Sequence, residues 1–392
     1  MTKEIEQENI PFRGVLERLA PNPGAEMLRY GWRRPDILSL GQGEGDLKTP
    51  DFITSATHKA MKEGKTFYGP VVGRPELRQE IAAYYTRLMG LNMPTGRIFV
   101  TPSGSSAMHL ALTSILEEDD EVVAITPIWK NLLGAVGLAQ AKVVQVPLDE
   151  NENGWNLDLE KVFQACTSRT KAILIVTPSN PTGWIMRREE MKDVLEFARA
   201  RGIWIISDEV YNRSVFYTSH APSFLEIAQD HDFLFTINSF SKSYAMTGWR
   251  LGWLVGPPES ENIIQGIALY DNMGPPTFTQ FGGIEALRHG EDFIAQQLES
   301  WRSNLDLLTD RFRENPRIHT HRPPATFYSF FRIEGEEDCM ALAKRLIDEG
   351  GLSLAPGCAF GECCKSWLRL CFAVSERKLV EAIDKLEQVI NG

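Results

Sequence analysis

The chain has 392 residues, of which 43% are hydrophobic and 24% charged, and its formal net charge is −11 at pH 7. That length exceeds one small core and suggests two compact units. The acidic balance argues against a protein that coats nucleic acid or anionic membrane, because both need basic surface.

The start, MTKEIEQENI, is charged and lacks an apolar core, so no secretory signal is expected. Between about residues 97 and 256, β-rich runs alternate with amphipathic stretches. The runs are RIFVT (97–101), EVVAIT (121–126), KVVQV (142–146), KAILIVT (171–177), IWIIS (203–207), FLFTI (233–237) and LGWLV (251–255). Stretches such as SSAMHLALTSILEE (105–118) and REEMKDVLEFARAR (188–201) read as helices between them. The pattern predicts an α/β fold with a mostly parallel seven-stranded sheet flanked by helices. AILIV at 172–176, among the longest apolar runs, is far too short to span a bilayer.

The last hundred residues read differently. A long polar helix over 291–312 leads into TFYSFFRI (326–333) and WLRLCFAV (367–374), each followed by a helical pattern. This predicts a smaller α+β unit over 291–392. A large unit is expected over 46–290, with residues 1–45 crossing back as an N-terminal arm and part of the small unit.

The strand ends carry the chemistry. KAILIVT runs into PSNPTG, IWIIS into DEVY, and FLFTI into NSFSK. Asn180, Asp208, Tyr211, Ser239 and Lys242 therefore fall at carboxyl ends of predicted strands, where ligands bind in a doubly wound sheet. Taken alone, each motif has a plainer reading: SNPTG as a turn, the aspartate as a helix cap, SGSS (103–106) as a helix start, Arg250 as a structural ion pair. Together, within one sheet, they favour a shared site.

The ordered set FYGPVVGRPELR (67–78), TPSNPTG, SDEVY, SFSKSYAMTGWRLGW (239–253) and LRLCFA (368–373) resembles the pyridoxal-phosphate-dependent aminotransferases of fold type I, class I/II, the branch that includes aspartate and aromatic aminotransferases. The resemblance covers nearly the whole chain. It implies that Lys242 carries pyridoxal 5'-phosphate as a Schiff base and then moves protons. It implies Asp208 against the pyridine nitrogen, Tyr211 and Asn180 at the phenolic oxygen, and Trp129 stacked on the ring. For the phosphate it implies Arg250, Ser239 with Ser241 as second choice, backbone N–H groups at Gly104 and Ser105, and Tyr68 from a neighbouring subunit of a homodimer. Arg369, with Asn180 and the backbone near Gly43, would grip the substrate α-carboxylate.

Two departures stand out. The family's GEPD-type segment is GEGD here, with Gly45 in place of proline. Where dicarboxylate-specific members carry a second basic residue, this chain has Asp271, Asn272 and Ser105, with Lys130 an unplaced candidate. The expected reaction is ping-pong transfer between an L-amino acid and a 2-oxo acid, the donor neutral, aromatic or basic rather than strictly dicarboxylic. Alternatives are a C–S β-lyase, a decarboxylase or an amino acid oxidase on the same fold, or an aspartate aminotransferase. The six cysteines include no CxxC pair, and Cys363 and Cys364 are adjacent, a poor zinc spacing. Reduced thiols in the cytoplasm are expected, with no metal, no nucleic acid and no membrane partner.

Overall fold

The computed structural model describes residues 21–34 and 36–392, together with Gly14 and Leu19. The expected N-terminal arm thus lies partly outside the described residues. Its described part includes helix α1 (Pro23–Gly31), begun by Asn22, whose side chain accepts from the Ala25 N–H. All seven β-rich runs form one sheet: β1 (Ile98–Thr101), β2 (Glu121–Thr126), β3 (Lys142–Pro147), β4 (Thr170–Val176), β5 (Trp204–Asp208), β6 (Leu234–Ser239) and β7 (Gly252–Val255). Their spatial order is β1-β7-β6-β5-β4-β2-β3. Only β7 runs against its neighbours; the other pairs are parallel.

Alternation along the strands builds a core on each face. Val122, Ala124, Ala172 and Leu174 join one cluster, while Val123, Ile125, Ile173 and Ile175 join the other. Successive side chains point to opposite faces, so strands buried on both sides read as continuous apolar runs. Register then aligns the strand ends. Val176 pairs with Asp208, and Asp208 with Ile237, which puts the carboxyl ends of β4, β5 and β6 on one rim. Helix α2 (Gly104–Ile115) leaves β1 at the same rim, with the Ser103 hydroxyl accepting from the Ser106 N–H at 3.0 Å.

The long helix α3 (Glu291–Glu314) leads into a second, antiparallel sheet of β8 (Ile318–Thr320), β9 (Tyr328–Ile333), β10 (Ala355–Pro356) and β11 (Trp367–Cys371), ordered β8-β9-β11-β10. Helices α4 (Cys339–Gly350) and α5 (Glu376–Asn391) supply Leu342, Leu346, Leu379 and Ile383 to its core. Met27 and Leu40 from the N-terminal segment join that same core. Leu38–Ser39 also pairs in parallel with Leu352–Ser353, and the Cys371 N–H donates to the Leu40 carbonyl. A short hairpin, Asp149–Asn151 with Gly154–Asn156, was not anticipated from the sequence. Its Trp155 ring lies 5.0 Å from Trp367 and 5.9 Å from Phe330 of the second sheet.

Candidate active site

Asp208 is the last residue of β5, Ser239 the last of β6, and Asn180 follows β4 by four positions. Lys242 sits on the single helical turn Phe240–Ser243, and Arg250 precedes β7. Gly104 and Ser105 open α2. Arg369 arrives from the second sheet, on β11 between β9 and β10. These residues, with Gly43, Trp129, Tyr211 and Ser241, line one cavity of about 380 Å³. Tyr68 is the exception among the expected site residues. It lies outside the cavity and is 85% exposed.

Burial sets the electrostatics. The Asp208 carboxyl is 7% exposed, and burial pushes its pKa up to about 6, partly offset by a hydrogen bond from the Val210 N–H (3.2 Å) and the charge of Lys242. Burial and then the Arg369 charge pull the Lys242 amine down to about 8. A lysine so shifted is poised to exchange protons near neutral pH. Its Nζ donates to the Gly43 carbonyl at 2.5 Å and lies 5.9 Å from the centre of the Tyr211 ring. Gly43 has a steric reason to be glycine, since a Cβ there would stand 2.5 Å from the Tyr328 hydroxyl. Glu209, beside Asp208, turns away from the cavity and accepts from the Ser207 hydroxyl and the Phe224 N–H.

Tyr211 forms the centre of a buried polar chain. Asn180 Nδ2 donates to its hydroxyl at 3.3 Å, and that hydroxyl pairs with Tyr328 at 2.8 Å. Burial drives the Tyr211 pKa upward, so it stays a neutral phenol. Arg369 Nη1 donates to Asn180 Oδ1 at 2.7 Å and Nη2 to the Gly41 carbonyl at 2.6 Å. Its Nε is buried with no hydrogen-bond partner among the described residues. The guanidinium lies over the rings of Tyr328 (4.2 Å) and Phe360 (4.9 Å). An unmet buried donor beside a cation is a receptor for a carboxylate.

Around the start of α2 the groups suit an anion. The Ser239 hydroxyl lies 2.9 Å from that of Ser241, and the first N–H groups of the helix have no intrahelical acceptor. Arg250 is held in the left-handed region, φ 52°, with Nη1 on the Thr247 carbonyl. For a non-glycine residue that conformation is costly and concentrates at functional sites.

Sequence reasoning missed part of the wall. Tyr328 was read only as strand. Asn22, Ala25, Met27 and Leu28 of the α1 region, with Asn131 and Phe360, also line the cavity. No local pattern marks them, because each reaches the cavity only through tertiary packing. Asp271 and Lys130 do not line it; Asp271 instead faces His109 at 3.6 Å.

Residues 35–386 match the family described as aminotransferase class I and II. The chain belongs to that family. Its members use pyridoxal phosphate, so the chain is a pyridoxal-phosphate-dependent aminotransferase of the α/β class. Among its relatives, a probable aspartate/prephenate aminotransferase of Aquifex aeolicus is 34% identical over 362 residues, 91% of each chain. An aromatic-amino-acid aminotransferase of Thermococcus litoralis is 31% identical, over 96% of this chain and 97% of that one. Among solved structures, a mutant Thermus thermophilus aspartate aminotransferase superimposes with TM-score 0.90 at 29% identity, covering 97% of this aminotransferase and 100% of the other.

Proposed function

We propose that this aminotransferase takes amino groups from neutral or aromatic L-amino acids, and that its residues divide the work as follows. The site fits pyridoxal phosphate on its own chemistry. A buried carboxylate at Asp208, with no cationic hydrogen-bond partner among the described residues, suits a protonated ring nitrogen. The donors around the start of α2, with Ser239, Ser241 and Arg250, suit a phosphate. When bound, the cofactor supplies an aldehyde that joins amines and a ring that withdraws electrons from the substrate Cα.

Asp208 would favour the protonated form of the ring nitrogen, and in a dry site that charge would act strongly. Tyr211 and Asn180 would offer hydrogen bonds to the phenolic oxygen. Trp129 would offer an aromatic face to the ring. Lys242, as a neutral amine, would take the proton from the substrate Cα and hold it for return. Arg369 grips the α-carboxylate with its planar fork, exchanging its present contacts to Asn180 and Gly41 for the substrate. Residues 291–392, with the N-terminal segment, act as a small unit that closes on the large unit over 46–290 and excludes water.

The observation that carries the substrate reading is the composition of the far wall. Of the described residues lining the cavity, only Lys242, Arg250 and Arg369 are basic, and each already has an assignment. Met27, Leu28, Trp129 and Phe360 face the remaining space with the amides of Asn22 and Asn131, which bond each other at 2.7 Å. A distal carboxylate would find no further cation among the described lining residues, whereas an apolar or aromatic side chain would be covered. The names of several relatives favour aspartate instead.

The working unit is a homodimer with shared sites. Phe67 (81% exposed) and Tyr68 lie on a loop whose Phe67 carbonyl accepts from the Thr277 hydroxyl at 2.7 Å, and Tyr270 (91% exposed) lies near the end of the preceding helix, Glu261–Asp271. Such an exposed apolar set is the kind that a second copy covers, and it would carry Tyr68 to the partner's phosphate. None of the described helices is long and apolar enough to cross a membrane; the cytoplasmic placement rests on the cysteine pattern.

The decisive experiment mixes cofactor-loaded enzyme with each amino acid separately and follows conversion to the aminated cofactor by absorbance. Fastest conversion with phenylalanine, tyrosine or leucine supports the reading. Aspartate and glutamate outrunning them would replace it with the dicarboxylate reading. Release of ammonia or carbon dioxide without an oxo-acid acceptor would overturn transamination as the main reaction.

A further inference from the structure

Away from the cavity, the hairpin of the large unit meets β8 of the small unit and the residue just past it at three side chains. Glu150 Oε1 lies 2.7 Å from His319 Nε2 and 2.8 Å from His321 Nε2. The coordinating atoms of all three lie within 4.8 Å of one another, and this is the one such cluster of three or more His, Cys, Asp or Glu side chains among the described residues. We propose that Glu150, His319 and His321 form a binding site for a borderline divalent transition cation, Zn²⁺ in the first instance, that clasps the hairpin to the second sheet.

Local structure prepares the site. His319 lies in β8 and His321 one residue past its end, two positions apart, and both rings reach Glu150. The rings are 5.2 Å apart and nearly perpendicular, and His319 also packs on Trp367 at 6.1 Å. Glu150 pairs across the hairpin with Trp155, which packs on Trp367 in turn. Both sides of the site are therefore anchored on one indole, which reduces the ordering that binding would cost.

Ligand chemistry selects the metal. Two neutral imidazoles and one carboxylate form an N₂O set that suits zinc, cobalt, nickel or copper, and not the all-oxygen surroundings of magnesium or calcium. Tetrahedral zinc with bonds near 2.0–2.1 Å holds neighbouring ligand atoms about 3.3 Å apart. The present 2.7 and 2.8 Å contacts need to open by only about half an ångström. All three residues are partly exposed, so a cation can enter and water can complete the coordination. One group opposes binding. Arg332 Nη2 stands 3.6 Å from Glu150 Oε2, held back by its place over the Trp367 ring. The cysteine spacings weighed in the sequence predict no metal, and a histidine pair meeting a glutamate about 170 positions away leaves no motif to read.

The test is calorimetric titration of chelator-treated, cofactor-loaded enzyme with ZnCl₂, with MgCl₂ as control. The expected result is one zinc site per chain that is lost with His319→Gln plus His321→Gln. Each single variant should weaken binding by more than the about tenfold typical of losing even an outer partner of a metal site. Arg332→Gln should tighten it. Because thiols also take zinc, Cys363→Ser is measured in parallel and should leave the site intact. A Co²⁺ spectrum without thiolate charge-transfer bands should confirm nitrogen and oxygen ligands. The melting temperature should rise with zinc in the parent and stay fixed in the double-histidine variant. Absence of binding to the parent overturns the proposal. So does zinc bound equally by parent and double variant, or lost on Cys363→Ser.

Discussion

The cavity has two walls of different make. On the sheet rim, ionisable groups at strand ends are buried against their preference: Asp208 is pushed up to about 6 and Lys242 down to about 8. Opposite, the Arg369 guanidinium lies over the rings of Tyr328 and Phe360, among mostly apolar side chains, amides and backbone, with Glu44 and Ser353. The rim stores electrostatic strain that a bound cofactor would relieve. The facing wall offers shape and one unsatisfied donor. The first is suited to making and breaking bonds at Cα, the second to choosing what enters.

Substitutions on the rim should hit rate, and those on the facing wall should hit recognition. Lys242→Ala should lower kcat by at least about 10,000-fold, the upper range for a lost acid–base group, while circular dichroism and melting show a folded chain. Asp208→Asn should cost about 100- to 1,000-fold in kcat, comparable to losing one preorganised electrostatic contact. The same substitution should stabilise the cofactor-free protein at neutral pH. The Asp208 pKa is raised from 3.8 to about 6, so the native state holds the extra proton and stability falls as pH rises between those values. Above about pH 6 the full cost of roughly 3 kcal/mol is present. Urea melts of parent and Asp208→Asn should therefore differ at pH 7 and converge near pH 4.

On the facing wall, Arg369→Lys should reduce kcat/KM for amino acids about 100-fold, within the range for breaking a buried charge pair. It should spare amines that lack a carboxylate, as steady-state kinetics on both classes would show. Equal losses would place Arg369 in the chemistry and erase the contrast between the walls. Tyr328→Phe removes one hydroxyl from the Tyr211 chain and should cost about 1 kcal/mol, less than tenfold in rate.

The two walls also differed in how far the sequence disclosed them. Asn180, Asp208, Ser239 and Lys242 were visible because each ends an apolar run and interrupts it with polar chemistry. Sheet register then had no choice but to bring them together. Arg369 was visible as a cation within an apolar strand. Tyr328 was hidden because a tyrosine in TFYSFF reads as one more β-former, and its tie to Tyr211 spans 117 positions. The α1 wall was hidden for a similar reason: an ordinary capped helix shows nothing of what it will face. Tyr68, prominent in its motif, stands exposed outside the cavity, where the proposed homodimer would bring it to the partner's site.

The lacing of Leu38–Leu40 into the C-terminal sheet has a mechanical consequence. The next residues deliver the Gly41 carbonyl to Arg369 and the Gly43 carbonyl to Lys242. If the proposed closure rocks that sheet, the tether would carry the movement directly to the Lys242 amine.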